Sequence, residues 1–271
     1  MDLDLVHEEP AVITKPHCQR RRRRTVRGLI FKIAIALSCV AVLLGFLVPA
    51  IWSAREAARR SQCLCNLCGI KLALLNYHDT YETFPPAYIA DANGQPMHSW
   101  RVLILPYMSY GGLYDRYDFR EPWDGPNNIK LLNEMPGTFA CPSWHDQRDT
   151  PTTLTSYVAV TGPGTIFPSE KTTRIEDITD GRSNTLMVLE VANVSIPWTS
   201  PQDLDVRTMS LRINDPKRRG ISSKHPGGAN VVFADGSARF ARESIAPENL
   251  KALLTIAGGE GITADQALDS K

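Results

Sequence analysis

Residues 33–52 (IAIALSCVAVLLGFLVPAIW) form an uninterrupted run of twenty residues without a charge. At about 1.5 Å per residue, a helix of that length reaches across the roughly 30 Å hydrocarbon core of a bilayer. A chain carrying such a run must either bury it in a protein core or place it in lipid. The flanks favour lipid. Five arginines at 20–24, then Arg27 and Lys32, stand directly before the run, where they can anchor to lipid headgroups. The following SAREAARRSQ is strongly helical and offers no small-x-small cleavage site of a secretory peptide. Thr25, Val26 and Arg27, after the last arginine pair, lack the apolar pattern of a twin-arginine export signal. We therefore assign a transmembrane helix to residues 29–52, behind a basic segment at 1–28.

Charge sets the expected orientation. Seven basic residues between Arg20 and Lys32 face only Arg55, Arg59 and Arg60 on the other side, partly offset by Glu56. The larger excess stays cytoplasmic, so the chain from about residue 53 is expected outside a bacterial inner membrane, in the periplasm. The net charge of +1 divides unevenly. Residues 1–32 hold eight Lys/Arg against four Asp/Glu, and the remainder holds 22 against 25. A chain without a broad basic face is not expected to bind nucleic acid. Its expected partner is the lipid bilayer.

After the membrane run, Ala57, Ser61, Leu64, Cys68, Leu72 and Leu75 recur at spacings of three or four and define one helical face. The helix is expected to continue past Pro49, kinked at most, to about His78 or Asp79, ahead of Phe84-Pro85-Pro86. Short helices are expected over 100–108, 113–117 and 127–135, and strands over 155–160 (TSYVAV), 185–191 (TLMVLEV) and 230–234 (NVVFA). Asp235-Gly236 between the last strand and 237–241 is a strong hairpin signal. A two-residue turn there puts Val231 and Phe233 on the face of Ala238 and Phe240, with Arg239 opposite. A last helix is expected over 247–256, a long surface loop over 199–225, and a flexible tail over 258–271. The class is α+β: an N-terminal transmembrane helix continuing into a long helix that packs on an antiparallel β-sheet head.

Several side-chain groups invite chemistry. Cys63, Cys65 and Cys68 form C-x-C-x2-C, but on a helix the first two point about 200° apart. Three thiolates so placed cannot meet at one tetrahedral zinc unless the helix breaks, and no second Cys/His pair sits at zinc-ribbon spacing. Asp235 lies at the hairpin tip, with strand 230–234 alone spanning about 17 Å, so His225 and Asp235 make a poor catalytic pair. Asp235 and Gly236 are read as turn residues, and His225 as a loop-fixing hydrogen-bonder. Asp180-Gly181 is likewise read as a turn. A Ca²⁺ site from Asp180, Asn184, Glu190 or Asp235 would match no EF-hand spacing. No G-x-S-x-G, H-E-x-x-H, Walker or G-x-G-x-x-G pattern occurs. No catalytic residue, metal or cofactor is therefore expected. The aromatics Trp100, Tyr107, Tyr110, Tyr114, Tyr117, Phe119 and Trp123 fit core packing, with a carbohydrate groove as the alternative.

Eight segments resemble a known group. They are AREAARR (54–60), NYHDTYETFPPAY (76–88), HSWRVLILPY (98–107), EPWDGPNN (121–128), CPS (141–143), TSYVAVTGPGT (155–165), ITDGRSNTLMVLEV (178–191) and HPGGANVVFADGSARF (225–240). Together, across residues 47–257, the chain is similar to the bacterial H-x9-DG family, domain of unknown function 1559, also called solute-binding protein family 10. His225, nine residues, then Asp235-Gly236 is the feature behind that family's name. The resemblance implies a pseudopilin-like exported domain, here residues 53–257, a prepilin-type N-terminal helix and no established activity. It also implies a disulfide between Cys63 and Cys141, which match the family's usual cysteine positions, and it leaves Cys65 and Cys68 unassigned. A prepilin needs Glu at the fifth position after its cleavage glycine; after Gly28 that position is Ile33. A permanently anchored monomer is expected instead of a fibre subunit. The expected role is non-catalytic, structural or interaction-based, with envelope or secretion-system proteins as partners. The alternative is a sugar- or peptide-binding module using the aromatics.

Overall fold

The computed structural model describes residues 17–145 and 151–269, apart from the side chains of 17–27 and 269. The first sixteen residues of the expected basic segment, and the side chains of its arginines, lie outside that description. Helix α1 runs His17–Tyr81 and includes Pro49. It stops where Glu82 takes a left-handed φ of 60°, shortly before Pro85-Pro86. The chain divides into two compact units at Arg55/Glu56. In the first, α1 is long and apolar enough to cross a membrane, and its large apolar side chains, from Leu29 through Phe46 to Trp52, are exposed.

In the second unit, the start of the domain is the remainder of α1. Its buried stripe is Cys63, Leu67, Ile70 and Leu74, at spacings of four, three and four. This corrects the expected face. Leu72 is 55% exposed, and Ala57 and Ser61 are exposed too. Residues 63–75 are apolar nearly all round, so several stripes satisfy the helical period. The large Leu67, Ile70 and Leu74 side chains, which remove more apolar area from water, decide which one packs.

A two-stranded ribbon pairs β1 (Tyr88–Ala90) with β2 (Pro96–Ser99), followed by the single turns α2 (Trp100–Leu103) and α3 (Gly111–Tyr114). The 3₁₀ segment Asn128–Glu134 and the short α4 (Pro142–His145) lead into the main sheet. Its strands are β3 (Tyr157–Thr161), β4 (Leu186–Glu190), β5 (Leu204–Asp205), β6 (Gly228–Phe233) and β7 (Ala238–Arg242), in the order β5-β3-β4-β6-β7. All pairs are antiparallel except β3 with β5, so the sheet is mixed. Alternation along the strands makes two cores. Ala159, Val188 and Val232 pack with the α1 stripe. Val158, Leu189, Val231 and Phe233 pack on the other face with α5 (Pro247–Ala252) and α6 (Ala264–Asp269).

Three further expectations are corrected. The hairpin loop holds three residues, not two: Phe233 pairs with Ser237 through a 2.9 Å bond from the Phe233 N–H, and Gly236 takes φ 84°. One extra loop residue shifts the register by one, which moves every β7 side chain to the opposite face. Val231 therefore faces Arg239, and Val232 faces Ala238. The tail carries α6, whose Ala264, Ala267 and Leu268 are buried in the second core; the segment was too short and mixed to announce a helix by period. The 199–225 loop contributes β5 and buries Leu204, Met209, Ile213 and Ile221, widely spaced apolar residues that tertiary packing gathers.

Candidate functional site

Four elements converge on one imidazole. Asn66 on α1 donates through Nδ2 to the Ala140 carbonyl at 2.8 Å, and Ser156 Oγ accepts from the Cys141 N–H at 2.7 Å. These bonds draw the 140–143 segment against the helix, where Cys63 and Cys141 form a disulfide with Cα atoms 5.3 Å apart. His225 enters from the turn before β6. Gly228, the first residue of β6, lets that strand lie close against β7, since a Cβ there would lie 2.1 Å from the Ala241 carbonyl oxygen.

His225 is buried and makes contacts in two directions. Its Nδ1 lies 2.5 Å from Glu56 Oε1, and Glu56 also accepts from Ser143 Oγ at 2.9 and 3.0 Å. Its Nε2 lies 3.5 Å from Cys141 Sγ and 3.5 Å from Glu190 Oε1. Glu190, at the end of β4, is 1% exposed. Its Oε2 accepts from the Asn230 N–H at 3.0 Å and Asn230 Nδ2 at 3.1 Å, while Oε1 has no hydrogen-bond partner. Burial pushes the Glu190 carboxyl above the ordinary carboxylate range, opposed by the nearby His225, the Asn230 bonds and the Ser223 hydroxyl.

The geometry fixes a tautomer by argument: with Glu56 accepting at Nδ1, a neutral His225 carries its proton there and turns the Nε2 lone pair inward. A lone pair and an unpartnered carboxylate oxygen then face each other. That arrangement requires a proton or a cation between them.

A pH test follows from Glu190. Its raised native pKa means that the folded state keeps the proton at a pH where the unfolded chain has lost it. The associated stability is fully present below the ordinary carboxylate range and falls as pH rises through the native pKa. Glu190→Gln mimics the protonated group and should flatten this slope. Urea midpoints of the full chain in detergent, taken from about pH 5 to about pH 8, should fall more steeply for the wild type. Equal slopes would contradict the assignment.

The remaining sequence candidates are placed elsewhere. Asp235 is exposed, and its Oδ1 accepts from the Ser237 N–H at 2.7 Å, a turn role. His225 meets Glu56 and Glu190 as its carboxylate partners, and it ties α1 to β4 beyond fixing its own loop. Asp180 accepts from the Gly258 and Gly259 N–H groups at 2.6 and 2.9 Å, holding the chain after α5. Asn184, which shares that surface, donates to the Asp180 carbonyl at 3.0 Å. With Glu190 in the interior and Asp180 engaged in these bonds, the considered Ca²⁺ set does not assemble. Trp100 is wholly buried and donates to Asp203 at 3.1 Å, while Trp123 is half-buried. Tyr117, Phe119 and His98 pack on one another, with ring centroids 5.0–5.5 Å apart. Trp100 and Tyr117 belong to the first core, and Tyr107, Tyr110, Tyr114 and Phe119 pack half-buried against it.

Glu56 and Ser143 lie in AREAARR (54–60) and CPS (141–143), and nothing local to either segment pairs them with His225. Glu190, a candidate oxygen ligand by sequence, instead faces the His225 imidazole. Its signal was a lone carboxylate inside the apolar run TLMVLEV, a position that demands a partner.

A family model described as "Protein of unknown function (DUF1559)" matches residues 52–215 and 195–248. No curated protein matches the chain, and no solved structure does.

Proposed function

The chain belongs to the DUF1559 family, and from that premise we propose that it is a single-pass, membrane-anchored envelope protein with a non-catalytic structural or interaction role. The observation that carries this reading is the exposed apolar surface of α1 between Leu29 and Trp52. No protein surface covers these side chains among the described residues, and lipid is the solvent that suits them. The basic excess at Arg20 to Lys32 supports a cytoplasmic N-terminus and a periplasmic domain. The Cys63–Cys141 bond suits an oxidising compartment.

Two features favour interaction over catalysis. The cluster richest in catalytic residue types is closed, with the His225 imidazole and Glu190 out of solvent and both sulfurs held in a disulfide. Apolar Leu72 and Tyr81 meanwhile stand exposed on α1. A pseudopilin-like architecture with a prepilin-type but unprocessed N-terminus fits this anchored role, and envelope or secretion-system proteins are its proposed partners.

Fractionation tests the anchor. The intact chain is expected in membranes resistant to alkaline carbonate, with its domain digested by protease added to spheroplasts. Deletion of residues 1–52 is expected to move the product to the soluble fraction. A mature soluble product beginning after residue 52 would make the helix a signal sequence and end this reading.

A further inference from the structure

We propose that, whenever the Cys63–Cys141 bond is reduced, the same pocket binds one Zn²⁺ through Cys63, Cys141, His225 and Glu190. The inference does not depend on membrane placement. The four donor atoms lie within 4.8 Å of one another, and all four residues are buried. A tetrahedral zinc with Zn–S near 2.3 Å and Zn–N or Zn–O near 2.0–2.1 Å needs ligand atoms about 3.3–3.8 Å apart. His225 Nε2 already sits 3.5 Å from Cys141 Sγ and 3.5 Å from Glu190 Oε1. The two bonded sulfurs must separate, which is what reduction allows, and any donor pair near the 4.8 Å limit must close by about 1 Å.

Two independent features point to a cation. Glu190 Oε1 is buried without a hydrogen-bond partner and faces the pocket. Glu56 holds His225 Nδ1 at 2.5 Å, leaving Nε2 free to ligate; a carboxylate behind a ligand histidine is the usual support of zinc sites. The donor set of two thiolates, an imidazole and a carboxylate suits zinc, and it fills all four positions as a structural site does. The helical triplet Cys63, Cys65 and Cys68 is not the site: Cys65 is exposed, and the ligands come from four separate parts of the fold.

The chemistry balances. A dithiol reductant gives two electrons and two protons to the disulfide, yielding two cysteine thiols and the reductant's own disulfide. Zn²⁺ then displaces to solvent both thiol protons, and the Glu190 proton wherever that carboxyl is neutral, as the thiolates and carboxylate bind. Disulfide and zinc are thus exclusive cross-links of α1 to the 140–143 segment.

The test uses the full chain in detergent micelles with Cys18, Cys39, Cys65 and Cys68 changed to Ser, which leaves only the two proposed thiols. After reduction and removal of the reductant without oxygen, Co²⁺ serves as the spectroscopic probe and Zn²⁺ as its competitor. One Co²⁺ per chain is expected, with thiolate charge-transfer and tetrahedral bands that Zn²⁺ erases, and none before reduction. Glu56→Gln, near-isosteric, should weaken binding by roughly 10–100-fold, and Glu190→Gln, which removes a direct ligand's charge, should weaken it at least as much. Zn²⁺ should raise the melting temperature of the reduced chain, which reports binding even where the reduced apo form is loosely folded. No stoichiometric Co²⁺, octahedral bands alone, or affinity unchanged in both Gln variants would each overturn the site.

Discussion

Asp203→Ala is expected to remove about 3–5 kcal/mol of stability, because it strands a buried cation. Arg101 and Asp203 are both wholly out of solvent, with Arg101 Nη2 2.5 Å from Asp203 Oδ1. Burial pushes the Asp203 carboxyl up and the Arg101 guanidinium down, each opposed by the other's charge. The pair is held by a full set of bonds. Arg101 donates to the Tyr157 carbonyl at 3.1 Å and to Ser99 Oγ at 2.8 Å, while Asp203 accepts from the Ala159 N–H at 2.8 Å and from Trp100 Nε1. One ion pair thus joins β2, α2, β3 and the segment before β5. Removing one partner leaves an uncompensated charge, whereas removing both loses only the bonds. Arg101→Met should be costly as well, and the double variant Arg101→Met/Asp203→Ala should cost clearly less than the sum, with a coupling of about 1–3 kcal/mol. Denaturant titrations of the full chain in micelles measure all three. A loss under about 1 kcal/mol for Asp203→Ala would mean that water or a shifted side chain reaches the guanidinium.

What the sequence disclosed, and what it withheld, follows the range of the interactions. The long apolar run and the end of α1 near Pro85-Pro86 are local facts, readable from charge and from proline. The β6–β7 hairpin was equally visible from Asp235-Gly236, but its register depended on a loop one residue longer than the motif suggests. The buried face of α1 was ambiguous because residues 63–75 present apolar groups in most directions, and only the sheet decides among them. The site lies at the far limit: Glu56 and His225 are 169 positions apart. Glu56 is the one carboxylate in AREAARR, and nothing local to it names an imidazole 169 positions away as its partner. His225 was conspicuous, yet its sequence partner Asp235 serves a turn. Charged residues in apolar runs, Glu190 in β4 and Arg101 in WRVL, are the local marks of these buried networks. Each needs a buried partner, and each has one.

The second large effect concerns the cross-link. Changing Cys63 and Cys141 to Ala together is expected to cost about 4 kcal/mol, from a chain-entropy estimate for a loop closed across 78 positions. For a domain of this size that corresponds to a melting temperature lower by roughly 8–16 °C. The loop holds β1, β2, α2, α3 and β3's approach, so without the bond the unfolded chain regains freedom over a third of the protein. The native contacts around it change little: Asn66 still bonds Ala140, and Ser156 still bonds the residue-141 amide. The loss should therefore appear chiefly as a lower stability with the same fold, seen as an unchanged far-UV spectrum before the transition. Melting in the presence of a chelator separates this from metal binding, since the double Ala variant lacks both sulfurs and should be indifferent to Zn²⁺. The reduced wild type in chelator should melt near the variant and recover with Zn²⁺. A double Ala variant that melts within about 2 °C of the oxidised wild type would show that the contacts between α1 and the 140–143 segment, not the covalent bond, hold this part of the domain together.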